Sequence, residues 1–104
     1  MRQFDVLENP IPRARGALPF VAILQADLAE TGGERVVAPL APSAAMPQLA
    51  GRLIPIVTVE SGDYALLVPS MTALPVSDLR HAVANLAGDR ERIIAALDYL
   101  FMGV

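Results

Sequence analysis

The side chains able to carry chemistry are few and dispersed. His81 is the only histidine and cysteine is absent. Without cysteine there is no thiolate nucleophile, thiolate metal ligand or disulfide. One imidazole cannot build a zinc site of the HExxH kind, and a lone histidine without a spaced partner reads as a surface or packed residue before it reads as a base. The carboxylates pair only across turns, Glu30 with Glu34 and Glu60 with Asp63. Acid–base work needs two carboxyls in distinct environments, which two solvated turn residues do not supply. Ser43, Ser61, Ser70 and Ser77 lack a nucleophile-elbow motif. Gly32-Gly33 lacks the Gly-Lys-Ser/Thr ending and the following helix of a phosphate loop. No catalytic residue, metal site or cofactor is expected, and the chain reads as a binder and not an enzyme.

Two other groups suit binding better. Arg13 and Arg15 lie in the proline-containing stretch Glu8 to Ala17, where they either pair with phosphates or an acidic peptide or stay solvated and keep the loop soluble. The sequence finishes on Phe101-Met102-Gly103-Val104, with no polar tail. Gly103 suits a left-handed helix cap. Exposed apolar residues around it would mark a partner surface, for which methionine is adaptable.

The elements that must position these groups are read from proline. Prolines stand at 10, 12, 19, 39, 42, 47, 55, 69 and 75, so before Pro75 the widest gap runs from Pro19 to Pro39. Thr31-Gly32-Gly33 within it is a turn signal, which predicts two strands, Phe20 to Gln25 and Arg35 to Ala38, joined as a hairpin. Gln3 to Leu7 alternates, with Phe4 and Val6 on one side, and predicts a first strand. Glu8 to Ala17 is an exposed loop or a wing. Leu53 to Val59 and Tyr64 to Val68 predict a second hairpin across Ser61-Gly62, and Pro55 places the former at an edge or a bulge. Leu74 to Val76 forms another extended piece. Ala38 to Ala50 reads as a surface connection with one helical turn near Met46 to Gly51. The last quarter has no proline. Asp89 is a candidate N-cap, and Ile93, Ile94, Leu97, Leu100 and Phe101 form one apolar helical stripe. The class is α+β, an antiparallel sheet covered by a terminal helix.

Composition agrees. The 104 residues fit one domain, 1–104. Hydrophobic residues make up 54% and charged residues 18%, more than enough apolar surface for a core. The net charge is −3 with all eight basic residues arginine, so no global positive field draws nucleic acid or an anionic membrane. The charged N-terminus argues against a secretory signal. The uncharged stretch Val36 to Gly51 is broken by three prolines and is not a membrane span. A cytoplasmic location is expected.

In order and spacing, several segments carry a resemblance. They are Gln3-Phe4-Asp5-Val6, Gln25-Ala26-Asp27-Leu28, Val37-Ala38-Pro39-Leu40, Leu53-Ile54-Pro55-Ile56-Val57, Met71-Thr72-Ala73-Leu74-Pro75-Val76 and the closing Phe101-Met102-Gly103-Val104. The chain resembles the CcdB toxins of bacterial type II toxin–antitoxin modules, which poison DNA gyrase. The resemblance implies a non-enzymatic homodimer with a twisted antiparallel sheet of SH3-like, CcdB-type barrel form, a small wing sheet and a C-terminal helix. It implies binding to the gyrase A subunit and trapping of the cleaved gyrase–DNA complex, with neutralisation by a CcdA-like antitoxin. By position, Phe101, Met102, Gly103 and Val104 occupy the gyrase-contacting end, and Leu28 and Asp98 match further contact positions. Arg13 and Arg15 in the wing region, and Ser43 and Met46, fall in implied antitoxin-contact areas. The best-studied members carry tryptophan where Met102 stands. Two alternatives remain: an mRNA interferase of the MazF type, which shares a related barrel, and a relative that binds antitoxin without poisoning gyrase.

Overall fold

A computed structural model describes residues 1–29, 32–45 and 51–104. Its strands are β1 (Asp5–Glu8), β2 (Phe20–Ile23), β3 (Glu34–Pro42), β4 (Ile56–Val59), β5 (Gly62–Leu66), β6 (Thr72–Pro75) and β7 (Ala82–Asn85), and they precede one helix, α1 (Arg90–Met102). The strands make one curled antiparallel sheet in the order β4-β5-β3-β2-β1-β7, with β6 also paired to β3. This is the α+β layout anticipated, with the β4–β5 hairpin extending one end of the sheet.

Strand alternation explains why Phe20 to Leu24 is apolar without a break. Val6, Ala22, Leu24, Ala38 and Leu40 turn to the face covered by α1, where they meet Ile93 and Ala96. Leu7, Val21, Ile23 and Val37 turn to the opposite face, where Leu79 and Leu74 cover them. Successive residues of a strand point to opposite sides, so a sheet covered on both faces needs an uninterrupted apolar run. A third cluster, Ala41, Ile54, Ala65 and Leu67 with Leu18 and Leu53 against it, closes one end.

The β2–β3 hairpin forms as anticipated, with Ile23 opposite Val37 and Phe20 opposite Leu40. However, β3 runs on through Pro42 where a surface connection was expected, and a 3-10 turn at Ser43–Ala45 follows. The expected helical turn near Met46 lies largely outside the described residues. Pro39 can sit inside this central strand because β3 changes partner there. Val37 still pairs with Thr72 of β6, whereas Leu40 already pairs with Leu66 of β5. The Pro39 carbonyl accepts from the Leu67 N–H at 2.9 Å, so the missing N–H faces the junction and interrupts no ladder bond. Pro55 lies just before β4, the edge strand, as its chemistry predicts. The second hairpin also forms, although β5 starts and ends two residues earlier than expected and Val68–Ser70 turn as a 3-10 segment. Strand β7, Ala-Val-Ala-Asn, was not anticipated. Its alanines give weak strand propensity, and its pairing with β1 is a tertiary effect.

Helix α1 is placed by Ile93 and Ala96, both fully buried, with Ile94, Leu97 and Leu100 half-buried on the same core. Asp89 holds the N-cap position as expected, but its carboxylate makes no capping hydrogen bond and instead pairs with Arg92. Phe101 does not extend the buried stripe, because it lies 68% exposed. The N-terminal turn carries one unusual backbone. Phe4 has φ 70°, a conformation disfavoured for a bulky residue. It is held there because its N–H donates to the Ile23 carbonyl, its carbonyl accepts from Leu86 N–H, and its ring is buried at 3% exposure.

Candidate functional site

The end of α1 presents the largest cluster of exposed apolar side chains along the described chain. Phe101, Met102 and Val104 are 68%, 72% and 76% exposed, and Tyr99 is 39% exposed. They protrude because the stripe that docks the helix ends at Leu100. Gly103 then takes φ 74°, ψ 16°, and its N–H bonds back to the Tyr99 carbonyl at 3.0 Å, a left-handed cap that turns the chain off the helix axis. A Cβ at Gly103 would meet no atom within 4 Å. The cost of Gly103→Ala is therefore conformational, about 1 kcal/mol, confined to the last turn. Amide exchange at position 103 is expected to accelerate while the global unfolding midpoint stays in place.

Asp98 is exposed one turn before Met102, and the i, i+4 spacing puts the two on one helix face. Leu28 is 98% exposed on the β2–β3 connection. That connection is tied to the other end of α1: Asp27 Oδ1 accepts from Gln3 N–H at 2.7 Å, and Gln3 Oε1 accepts from Arg90 Nη1 at 3.3 Å. At 1.5 Å rise per residue, Arg90 and Met102 are separated by about 18 Å. Within one copy, the structure therefore brings Asp98 to Phe101–Val104 but leaves Leu28 apart.

Three of the residues expected at the antitoxin contact, Arg13, Arg15 and Ser43, lie at one end of the sheet. Glu8 pairs with Phe20 and Phe20 with Leu40, so the ladder sets the loop carrying Arg13 and Arg15 beside the end of β3, where Ser43 follows. Met46 lies outside the described residues. The loop is pinned by Asn9, the one buried polar residue among those described. Its side-chain amide donates to the Leu18 carbonyl at 2.9 Å and its Oδ1 accepts from Ile11 N–H at 2.9 Å. Arg15 is partly committed to the loop itself, donating through Nε to the Asn9 carbonyl at 2.6 Å and pairing with Glu8 at 3.4 Å. Arg13, in the 3-10 turn Pro12–Ala14, is exposed and makes no ion pair among the described residues.

Against the outer side of this loop lies an open cleft of about 460 Å³ that gathers Glu8, Arg15, Asp78, Arg80 and His81. Both its acids and its bases are carried on exposed segments. Among the described residues, no group of His, Asp or Glu is arranged to hold a metal ion, and no helix is long and apolar enough to cross a membrane.

Sequence reasoning missed Arg52. Its guanidinium stacks over the Tyr99 ring at 4.3 Å and donates to the Val104 backbone oxygen at 3.3 Å. No local pattern marks a pair separated by 52 residues.

The class is an α+β fold, a curled antiparallel half-barrel with one covering helix whose end is exposed and apolar. The family model described as CcdB protein matches residues 3–103. The chain belongs to the CcdB family and is a toxin of a toxin–antitoxin system.

Proposed function

We propose that this CcdB-family toxin acts by binding the DNA gyrase A subunit through Phe101, Met102, Gly103 and Val104, and that it traps gyrase on cleaved DNA. The observation that carries the reading is the exposed apolar end of α1 beyond the last core residue, Leu100. Asp98 lies on the same face, and a target that also touches Leu28 spans the length of the helix. In this reading the toxin works in the cytoplasm as a homodimer of a single 1–104 domain, without catalysis. A CcdA-like antitoxin neutralises it from the sheet end that holds Arg13, Arg15 and Ser43, with Met46 as a further contact. Family membership supports the toxin role; the target and the contact residues are what the resemblance implies.

The test is a titration of purified protein against the gyrase A dimerisation fragment, paired with growth arrest on induced expression. Binding with arrest supports the reading. An antitoxin complex with no gyrase complex would leave an interaction module that no longer poisons.

The ribonuclease alternative has one candidate location, the cleft holding His81, Arg80 and Arg15. An mRNA interferase needs basic and polar groups converging on a phosphate, and Arg15 is already bonded to Asn9 and Glu8. Purified protein is expected to leave RNA intact on a gel, and His81→Ala is expected to arrest growth as the parent does. Cleavage that His81→Ala abolishes would replace the gyrase reading.

A further inference from the structure

We propose that Arg52 is the positioning residue of the toxin's target-binding end, holding Phe101–Val104 in one orientation before the target arrives. The proposal rests on the gyrase reading for its functional consequence, but not for the geometry.

Among the described residues, two hydrogen bonds hold the chain beyond Leu100 apart from the helix's own ladder. Gly103 N–H to the Tyr99 carbonyl is local. Arg52 to the Val104 backbone oxygen comes from a distant segment. The same guanidinium lies on the Tyr99 ring, so one side chain grips both the last turn of the helix and the residue beyond its cap. The planar guanidinium suits this double task, since its face stacks while its edge donates.

Arg52 is itself firmly placed. Gly51 has φ 154°, a backbone that glycine adopts far more readily than other residues, and its N–H donates to the Ile54 carbonyl at 3.3 Å. Leu53 and Ile54 then pack on the cluster of Ala41, Ala65 and Leu18. The anchor for the helix end thus reaches into the sheet.

An apolar end that is already ordered loses less conformational freedom on binding. Removing the anchor should lower gyrase A affinity by about fivefold to tenfold and increase the mobility of Met102 to Val104 in the free toxin. Lysine at this position keeps the charge and a donor but not the stacked plane, so R52K should restore only part of the order.

The experiment compares the parent, R52A and R52K by backbone ¹⁵N heteronuclear NOE at positions 102–104, and by titration with the gyrase A fragment. The expected result is a lowered NOE and weakened binding in R52A, with R52K between. An unchanged NOE overturns the proposal, and weakened binding with an unchanged NOE would mean that Arg52 touches the target directly. If the parent binds no gyrase A, the gyrase reading fails, while the NOE series alone still decides whether Arg52 orders the end.

Discussion

Replacing Ile93 by alanine should destabilise the fold by about 2–5 kcal/mol. Ile93 has no exposed surface and is the fully buried large side chain of α1, set among Val6, Leu24, Leu40, Leu66 and Val68. Those neighbours come from β1, β3, β5 and the residues that follow β2 and β5, so they cannot all move inward to fill the space, and the lost methyl groups leave a cavity. Domains of this size have a total stability of about 5–15 kcal/mol, and each kilocalorie shifts the melting temperature by about 4–8 °C. Urea denaturation of Ile93→Ala should therefore show a much lower midpoint at an unchanged slope. Ile93→Val, which removes one methylene, should lose about 0.5–1.5 kcal/mol. An alanine variant as stable as the parent would mean that α1 is not held by this contact.

Deleting Met102 to Val104 should have the opposite signature. These residues bury little, with Met102 72% and Val104 76% exposed, so unfolding should shift by no more than about 0.5 kcal/mol. Growth arrest should nevertheless disappear. Interface hot spots are worth about 2 kcal/mol or more each, and loss of one such contact weakens binding about thirtyfold. Met102→Ala alone should reach that level, and the deletion should exceed it. The measurements are growth on induced expression and titration with the gyrase A fragment, on protein whose denaturation curve matches the parent's. A stable truncated protein that arrests growth as well as the full chain would remove these residues from the mechanism.

The two experiments divide α1 between its roles. Through Leu100 its apolar residues hold it to the sheet, and beyond Leu100 they point outward. The sequence pattern ran both parts together, because Phe101 falls at the i+8 position from Ile93 and satisfies helical periodicity. Periodicity reports which side of a helix a residue occupies, and not whether the sheet still lies beneath it. At Phe101 the sheet no longer covers the helix, and the ring is exposed.

Composition offers more apolar surface than one core needs, and much of it is used inside one copy, because Leu7, Val21, Ile23 and Val37 cover a second face of the sheet. Arg13 and Arg15 looked alike in sequence and differ in place. Arg15 turns back onto Asn9 and Glu8, while Arg13, in the turn Pro12–Ala14, makes no ion pair among the described residues.

By itself the sequence determined the α+β class, both hairpins, the single helix, the cap at Gly103 and the CcdB resemblance. Each of these rests on local chemistry: proline exclusion, glycine turns, short-period alternation or residue order. Only the tertiary structure decided that Pro39 belongs inside a central strand, that weakly strand-forming β7 pairs with β1, and that Arg52 meets Tyr99 and Val104. These depend on where β3 changes partner, on the edge that β1 leaves open, and on a segment packed against Ala41 and Ala65. Contacts across dozens of residues are set by the packing of whole elements, and no spacing within the chain encodes them.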